Sequence, residues 1–252
     1  MTAECAKSWI RWCVWRTFQK RDTADSMKRL LEAQAERHGV VLSENQIDRF
    51  VHYLTMIQKW QKSAVRLVGS AEPDELVGKH VSDTLALYVC IGDCGGKKLI
   101  DVGSGAGFPG LCLKLIEPEL EVTLVEASAR KSSFLAKVKV ELALSELTVV
   151  RARGEDLACE GGFREQFDLA ALRAVAGLPR AIELGLPFVK VGGHLFLVRG
   201  ATSQEEMEIA RSSAGPLGGG EIRVHPLGIE GGDVRGSIMI IGRQTSGSRD
   251  GR

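Results

Sequence analysis

Gly103-Ser-Gly-Ala-Gly-Phe-Pro-Gly110 constrains this chain more than any other segment, because it puts four glycines into eight residues directly after Lys98-Leu-Ile-Asp-Val102. The preceding five residues have the apolar, β-branched character of a short buried strand, and Leu111 to Ile116 continue as an apolar helix. Glycines between a strand and a helix let the chain turn sharply and let a ligand come up against the backbone. A tight turn of purely structural purpose is the plainer alternative.

The segments that follow keep this rhythm. Glu121–Glu126, Leu147–Arg151, Phe167–Leu172 and Gly193–Val198 are predicted strands, and helices are predicted over Arg130–Leu144, 178–186 and Gln204–Ser212. Strands alternating with helices require right-handed parallel crossovers, hence an α/β, doubly wound, Rossmann-like sheet. Glu221–Leu227 and Gly236–Ile241 break the rhythm, since the Gly-rich link between them is too short for a crossover and makes them pair antiparallel. One antiparallel strand near the C-terminus of such a sheet is the arrangement found in methyltransferases. Ahead of the sheet lies a helical region with no strand pattern. It comprises Met27 to about His38 stopped by Gly39, a helix opened by the capping box Ser43-Glu-Asn-Gln46 with an apolar stripe from Ile47 to Trp60, and a helix opened at Glu72-Pro73. The organisation expected is an extension over 1–26, an N-terminal helical region over 27–92, a ligand-binding domain over 93–243 and a disordered tail over 244–252.

A chain of 252 residues, 44% hydrophobic and 26% charged, can bury a substantial core. Its formal charge of +1 is unevenly spread, with 12 Lys and Arg against 7 Asp and Glu in residues 1–66 and 21 against 25 in the remainder. A basic N-terminal module on a mildly acidic body suits a nucleic-acid partner, although a solvated helical surface has the same composition. No run of about 18–20 apolar residues reads as a membrane span. The six Cys lack zinc spacing, so no metal is expected, and reduced thiols in a cytoplasmic protein are. Trp9, Trp12 and Trp15 among Lys7, Arg11 and Arg16 could form a short amphipathic basic helix, a transit-like leader or a segment ahead of the true start at Met27.

Two cofactors compete for the glycine loop. Gly105-x-Gly107-x-x-Gly110 satisfies the dinucleotide fingerprint, with Glu126 about 20 residues beyond Gly107. Against NAD stands Asp101, a carboxylate that a pyrophosphate would meet unfavourably and that the cationic ammonium and sulfonium of S-adenosylmethionine would favour. Pro109 also removes an N–H donor where the pyrophosphate would dock. Glu126 would take the ribose hydroxyls of either ligand. After the third strand, the backbone N–H and carboxylate of Arg153-Gly154-Glu155-Asp156 could read an adenine edge, or form a solvated acidic turn. After the fourth, Arg173 could position a phosphate or base of the substrate, or lie on the surface.

Absent features narrow the chemistry. There is no Asn/Asp-Pro-Pro-aromatic segment of the kind that exocyclic amino methylation uses, and no Pro-Cys pair for pyrimidine carbon methylation. A guanine N7 carries a lone pair and no proton, so an enzyme acting on it need only align atoms and accommodate charge. Other simple nucleophiles fit such a site as well.

Gln58-Lys-Trp-Gln-Lys62, Lys79-His80-Val-Ser-Asp83-Thr-Leu85, Leu99 to Gly110 with its Gly-Phe-Pro-Gly ending, Arg130-Lys131-x-x-Phe134-Leu135, Arg153-Gly-Glu155 and Leu172-Arg173-Ala174 together resemble the 16S rRNA guanine-N7 methyltransferase family (ribosomal RNA small-subunit methyltransferase G), in order from about Met27 to Arg243. The resemblance implies cofactor contacts at Gly103, Phe108, Glu126, Ala127, Ser128, Gly154, Glu155 and Arg173. It also implies an RNA surface involving the N-terminal helices, His80, Arg130, Lys131 and Arg199. With Asp101, Gly105 and Gly107 from the loop, and with Lys59, Lys62 and Arg66 from the cations of the N-terminal helical region, these residues form the candidate site. A monomer acting on small-subunit rRNA or a ribosomal particle is expected. The family commonly has Asn-Leu-Thr at Arg66-Leu-Val68 and Lys-Gly at Arg199-Gly200, and the second exchange turns a point charge into a planar fork. The readings that compete are a small-molecule methyltransferase or NAD-dependent oxidoreductase on the same fold, and a noncatalytic RNA-binding relic.

Overall fold

In a computed structural model of the chain, the described residues are 23–63, 66–159, 161–173, 177–227 and 236–245. The tryptophan-rich segment and the C-terminal residues from 246 onward lie outside them. Seven strands form one sheet in the order β3-β2-β1-β4-β5-β7-β6. They are β1 (Lys98–Val102), β2 (Glu121–Val125), β3 (Leu147–Val150), β4 (Phe167–Arg173), β5 (Val189–Arg199), β6 (Gly219–Leu227) and β7 (Gly236–Arg243). All neighbours through β5 are parallel, and β7 runs antiparallel to both β5 and β6. The doubly wound sheet with one reversed strand near the C-terminus is therefore as the sequence rhythm predicts. β5 starts earlier than expected, at Val189, where it pairs with Phe167 before a register irregularity carries the pairing on to Leu169 and His194.

Strand alternation sends side chains to two apolar layers. Leu99, Leu124 and Phe196 face one core together with α5 (Gly110–Ile116), α6 (Ala129–Glu141) and the N-terminal helices. Ile100, Val102, Leu172 and Leu197 face the other, with α8 (Leu178–Gly185) and α9 (Gln204–Ala214). Such side chains contribute about 1.5–3 kcal/mol each on full burial. A capping box opens α9, where the Ser203 hydroxyl accepts from Glu206 N–H and the Glu206 carboxylate accepts from Ser203 N–H.

The N-terminal helices are built into the first layer. α1, over 23–37, buries Met27, Leu31 and Ala35 at four-residue spacing, and it is already formed at Thr23, within the stretch read as an extension. α2 (Glu44–Ser63) opens with the predicted box, Gln46 N–H donating to Ser43 Oγ at 3.3 Å and Ser43 N–H to Gln46 Oε1 at 2.9 Å. Gln46 Nε2 also donates to the Leu115 and Ile116 carbonyls, while Arg49 Nη2 donates to the Leu142 carbonyl, so α2 satisfies the open C-terminal carbonyls of α5 and α6. The helix opened at Glu72 comprises α3 (Pro73–Glu75), a π-helical segment (Leu76–Val81) and α4 (Ser82–Ile91). Periodicity alone showed neither the π segment nor α7 (Gly154–Cys159), which forms where the sequence suggested a turn. Six residues are too few to display a helical period, although Glu155 and Asp156 complement the dipole of a first turn.

Candidate active site

β1 lies between β2 and β4, so the sheet changes winding direction at its C-terminal end, where open α/β sheets bind ligands. The loop there is held by its own backbone. Gly103 and Ser104 N–H donate to the Val125 carbonyl at 2.8 and 3.0 Å, and Gly107 N–H to Ser104 O at 2.7 Å. Gly103, Gly105 and Gly107 have φ of +79°, +59° and +109°, conformations that other residues rarely adopt. A Cβ on Gly107 would meet Leu111 Cβ at 2.9 Å, and one on Gly110 would meet Asp101 and Leu124 at 2.7 Å. On Gly105 it would meet nothing closer than the Gly103 carbonyl at 3.9 Å. Two of these glycines therefore serve packing, whereas Gly105 borders open space.

Asp101 is buried, and its Oδ2 accepts Gly110 N–H at 2.9 Å. Its Oδ1 is buried with no partner among the described residues. Burial first, with the nearby Glu126 carboxylate adding, raises its pKa to about 7, against the lowering effects of Gly110 N–H, Ser104 and Arg173. Glu126, just beyond β2, receives Gly105 N–H on Oε2 at 2.9 Å and Ser128 N–H on Oε1 at 2.7 Å. Each oxygen keeps a further lone pair for a ligand hydroxyl. The backbone donors at the start of α5 are otherwise taken: Pro109 has none, Gly110 N–H goes to Asp101 and Leu111 N–H to the Gly107 carbonyl at 2.9 Å.

Side chains from the N-terminal helices close the loop from behind. The buried Tyr53 hydroxyl on α2 donates to the Ala106 carbonyl at 2.8 Å, and its ring lies 5.7 Å from that of Phe108. His80 also stacks on Phe108, with ring centroids 4.8 Å apart at 24°. The last residue of β4, Arg173, bonds His80 Nδ1 through Nη1 and Asp83 Oδ2 through Nη2, the latter at 2.6 Å. Its side chain is only 13% exposed, so it is not a free surface group. Burial first, and then Arg173, lowers the His80 pKa to about 4, which leaves the imidazole neutral.

The structure thus gathers Asp101, Gly103, Gly105, Gly107, Phe108, Glu126, Ser128, His80 and Arg173 around one strand end. Ala127 is exposed beside Glu126. Gly154 packs against the end of β1, where a Cβ would meet Val102 Cγ1 at 2.6 Å, and Glu155 pairs with Arg180 on α8 at 2.8 Å. Lys59, Lys62, Arg66 and Arg130 are exposed and Lys131 half-buried, whereas Arg199 is engaged by Glu206. Lys79 pairs with Glu75 at 3.0 Å. Sequence reasoning assigned no site role to Tyr53 or Asp83. The i, i+3 spacing of His80 and Asp83 was the one available signal for the latter. Among the described residues no group of three or more His, Cys, Asp or Glu could hold a metal, and no helix is long and apolar enough to cross a membrane.

The sequence model of the family described as rRNA small subunit methyltransferase G matches residues 46–228. A protein called ribosomal RNA small subunit methyltransferase G from Roseiflexus castenholzii is 38% identical over 203 residues, covering 81% of this chain and 86% of its own. One of the same name from Desulfitobacterium hafniense is 38% identical over 207 residues, covering 81% and 84%. In fold, the chain is similar to a putative S-adenosyl-L-methionine-dependent methyltransferase from Methanococcus maripaludis, with a TM-score of 0.53, 14% identity and coverage of 73% and 97%. It is also similar to a branched-chain polyamine synthase from Thermus thermophilus, with a TM-score of 0.54, 15% identity and coverage of 79% and 67%.

Proposed function

The chain belongs to the rRNA small subunit methyltransferase G family, and from that premise we propose that it methylates N7 of a guanine in small-subunit ribosomal RNA with S-adenosylmethionine as donor. The observation that carries the choice of cofactor is the occupied start of α5. Gly110 N–H already serves Asp101, Pro109 has no N–H, and a buried carboxylate stands where a dinucleotide would bring its pyrophosphate. Where Asp101 is ionised, that arrangement disfavours an anion and favours a cation, which argues against the NAD reading of the same glycine pattern.

The residues present fit S-adenosylmethionine. The unpartnered Asp101 Oδ1 and the open space beside Gly105 are features that a cationic, phosphate-free ligand would use. In this reading Glu126 takes the ribose hydroxyls while its bonds to Gly105 and Ser128 fix its orientation. Gly103 and Phe108 line the loop, and Ala127, Gly154 and Glu155 border the adenine. Once bound, the cofactor supplies an electrophilic sulfonium methyl. Guanine N7 has no proton to lose, so the chain need supply no general base. Its work is to align the acceptor and exclude water, with the neutral His80 adding no positive charge beside the methylated base. Arg173 is the positioning group at the methyl-donor end. Lys59, Lys62, Arg66, Arg130 and Lys131 face rRNA phosphates, whereas Arg199 is held by Glu206, and the chain works as a cytoplasmic monomer on rRNA or its particle. Mapping N7-methylguanine in rRNA from cells with and without the gene tests the reading. One modified guanine of the small-subunit RNA should lose its methyl group, and an unchanged map would sink the proposal.

A further inference from the structure

We propose that Asp83 and His80 are positioning residues that clamp the guanidinium of Arg173 at the methyl-donor end of the pocket, so that the N-terminal helices set the direction of its remaining donors. The proposal rests on Arg173 serving that pocket. Arg173 ends β4 beside the glycine loop, and two of its nitrogens are held from outside the sheet, by Asp83 Oδ2 at 2.6 Å and by His80 Nδ1. Both partners come from where the π segment Leu76–Val81 passes into α4, 90 and 93 residues away in sequence. The π segment ends on Ser82 N–H, which bonds both the Lys79 and Val77 carbonyls, and the His80 carbonyl accepts the Thr84 hydroxyl at 2.9 Å. Single π turns inside α-helices recur at functional sites.

The chemistry of the clamp is specific. A guanidinium has only donors, so the imidazole nitrogen that meets it must offer a lone pair; Nδ1 is unprotonated and the ring proton sits on Nε2. Stacking on Phe108 fixes the plane of the ring and hence the direction of that lone pair. The lowered pKa of His80 keeps the ring neutral at neutral pH, so that one of its nitrogens is free to accept. An Arg on β4 alone would spread over many rotamers. With a carboxylate and an imidazole each holding one nitrogen, the guanidinium is preorganised, and its N–H groups not engaged by these two can point at ligand.

A double-mutant cycle on methyl transfer to small-subunit particles tests this. Arg173→Ala should lower kcat/KM, and Asp83→Asn should lower it about 10–100-fold with the same split between kcat and KM, as the loss of a charged hydrogen bond predicts. In the Arg173→Ala background the added Asp83→Asn should change kcat/KM by less than about twofold, because its target is gone. His80→Asn keeps an acceptor near the position of Nδ1 and should retain most activity, whereas His80→Gln, whose acceptor mimics Nε2, should lose about tenfold. The His80 pair decides the matter if Asp83→Asn fails to fold. An Asp83→Asn loss that persists in the Arg173→Ala background, or equal activity of His80→Asn and His80→Gln, overturns the clamp while leaving Arg173 in the site. An Arg173→Ala enzyme of wild-type activity removes Arg173 from the site, and the clamp with it.

Discussion

The two walls of the site are made by different means. The wall formed by the β1–α5 loop is almost entirely backbone: glycine conformations, amides returned to local carbonyls, and two carboxylates that each receive amides from the loop or its neighbour. The second wall, behind that loop, is made of side chains delivered from far away, with Tyr53 on Ala106, His80 on Phe108, and Asp83 and His80 on Arg173. A backbone wall defines which cofactor fits, because its amide directions are set by the local chain. A side-chain wall links that cofactor pocket to whatever the helices bind. The contrast suggests that cofactor choice and RNA engagement can be broken separately.

The largest effect should come from the glycine that borders open space. Gly105→Val places branched carbons where only the Gly103 carbonyl lies within 4 Å and forces a β-branched residue to φ +59°, so S-adenosylmethionine binding should vanish in calorimetry while the folded protein loses about 1–3 kcal/mol of stability. Gly110→Ala is its counterpart: its methyl group would meet Asp101 and Leu124 at 2.7 Å, and the expected result is a stability loss of about 1–3 kcal/mol in denaturant titration. Equal S-adenosylmethionine affinity in Gly105→Val and wild type would detach the backbone wall from cofactor binding.

Glu126→Ala should weaken S-adenosylmethionine binding roughly 10–100-fold, since charge-assisted hydrogen bonds to two hydroxyls are lost. The mutant should then bind S-adenosylmethionine and its 2′,3′-dideoxyribose analogue equally. A preference for the hydroxylated ligand as strong as wild type's would remove Glu126 as the ribose partner.

Asp101 gives a pH signature. Its folded-state pKa of about 7 lies above the ordinary carboxylate value of 3.8, so the stability tied to its neutral form is full below about pH 4 and is lost as pH rises through 7. Asp101→Asn keeps the acceptor for Gly110 N–H and cannot ionise. Its melting temperature should gain on wild type across that window, by up to about 1.4 kcal/mol of stability per pH unit. A cation beside the carboxylate would lower the pKa again, so S-adenosylmethionine affinity should rise from pH 6 to 8 in wild type and stay level in the mutant. Parallel pH profiles for the two proteins would contradict this.

The smallest effect belongs to the outer surface. Replacing Lys59, Lys62 and Arg66 with Ala should leave S-adenosylmethionine affinity intact, raise the apparent KM for RNA a few-fold and flatten the dependence of log K on log salt. Wild-type values for both RNA measurements would make these cations a solvated face and move the RNA elsewhere.

The same contrast explains what the sequence disclosed. Asp101, the loop glycines and Glu126 stand at fixed short intervals around two strand ends, so local spacing exposes them. Tyr53 looks like one more apolar residue in the α2 stripe, because nothing near it in sequence tells that its hydroxyl meets Ala106. Asp83 becomes a partner of Arg173 only when the fold brings α4 to the end of β4, 90 residues on. Glu155 is the opposite case: its place after the third strand was legible, but α7 and the pairing with Arg180 were not.

The occupied start of α5 should select a cationic, phosphate-free cofactor. Titrating the purified chain with S-adenosylmethionine and, separately, with NAD in the calorimeter tests it most directly. S-adenosylmethionine should bind saturably and one to one, and NAD should give no measurable heat. NAD binding as tight as S-adenosylmethionine would show that the Asp101–Gly110 bond opens to admit a pyrophosphate, and would contradict it.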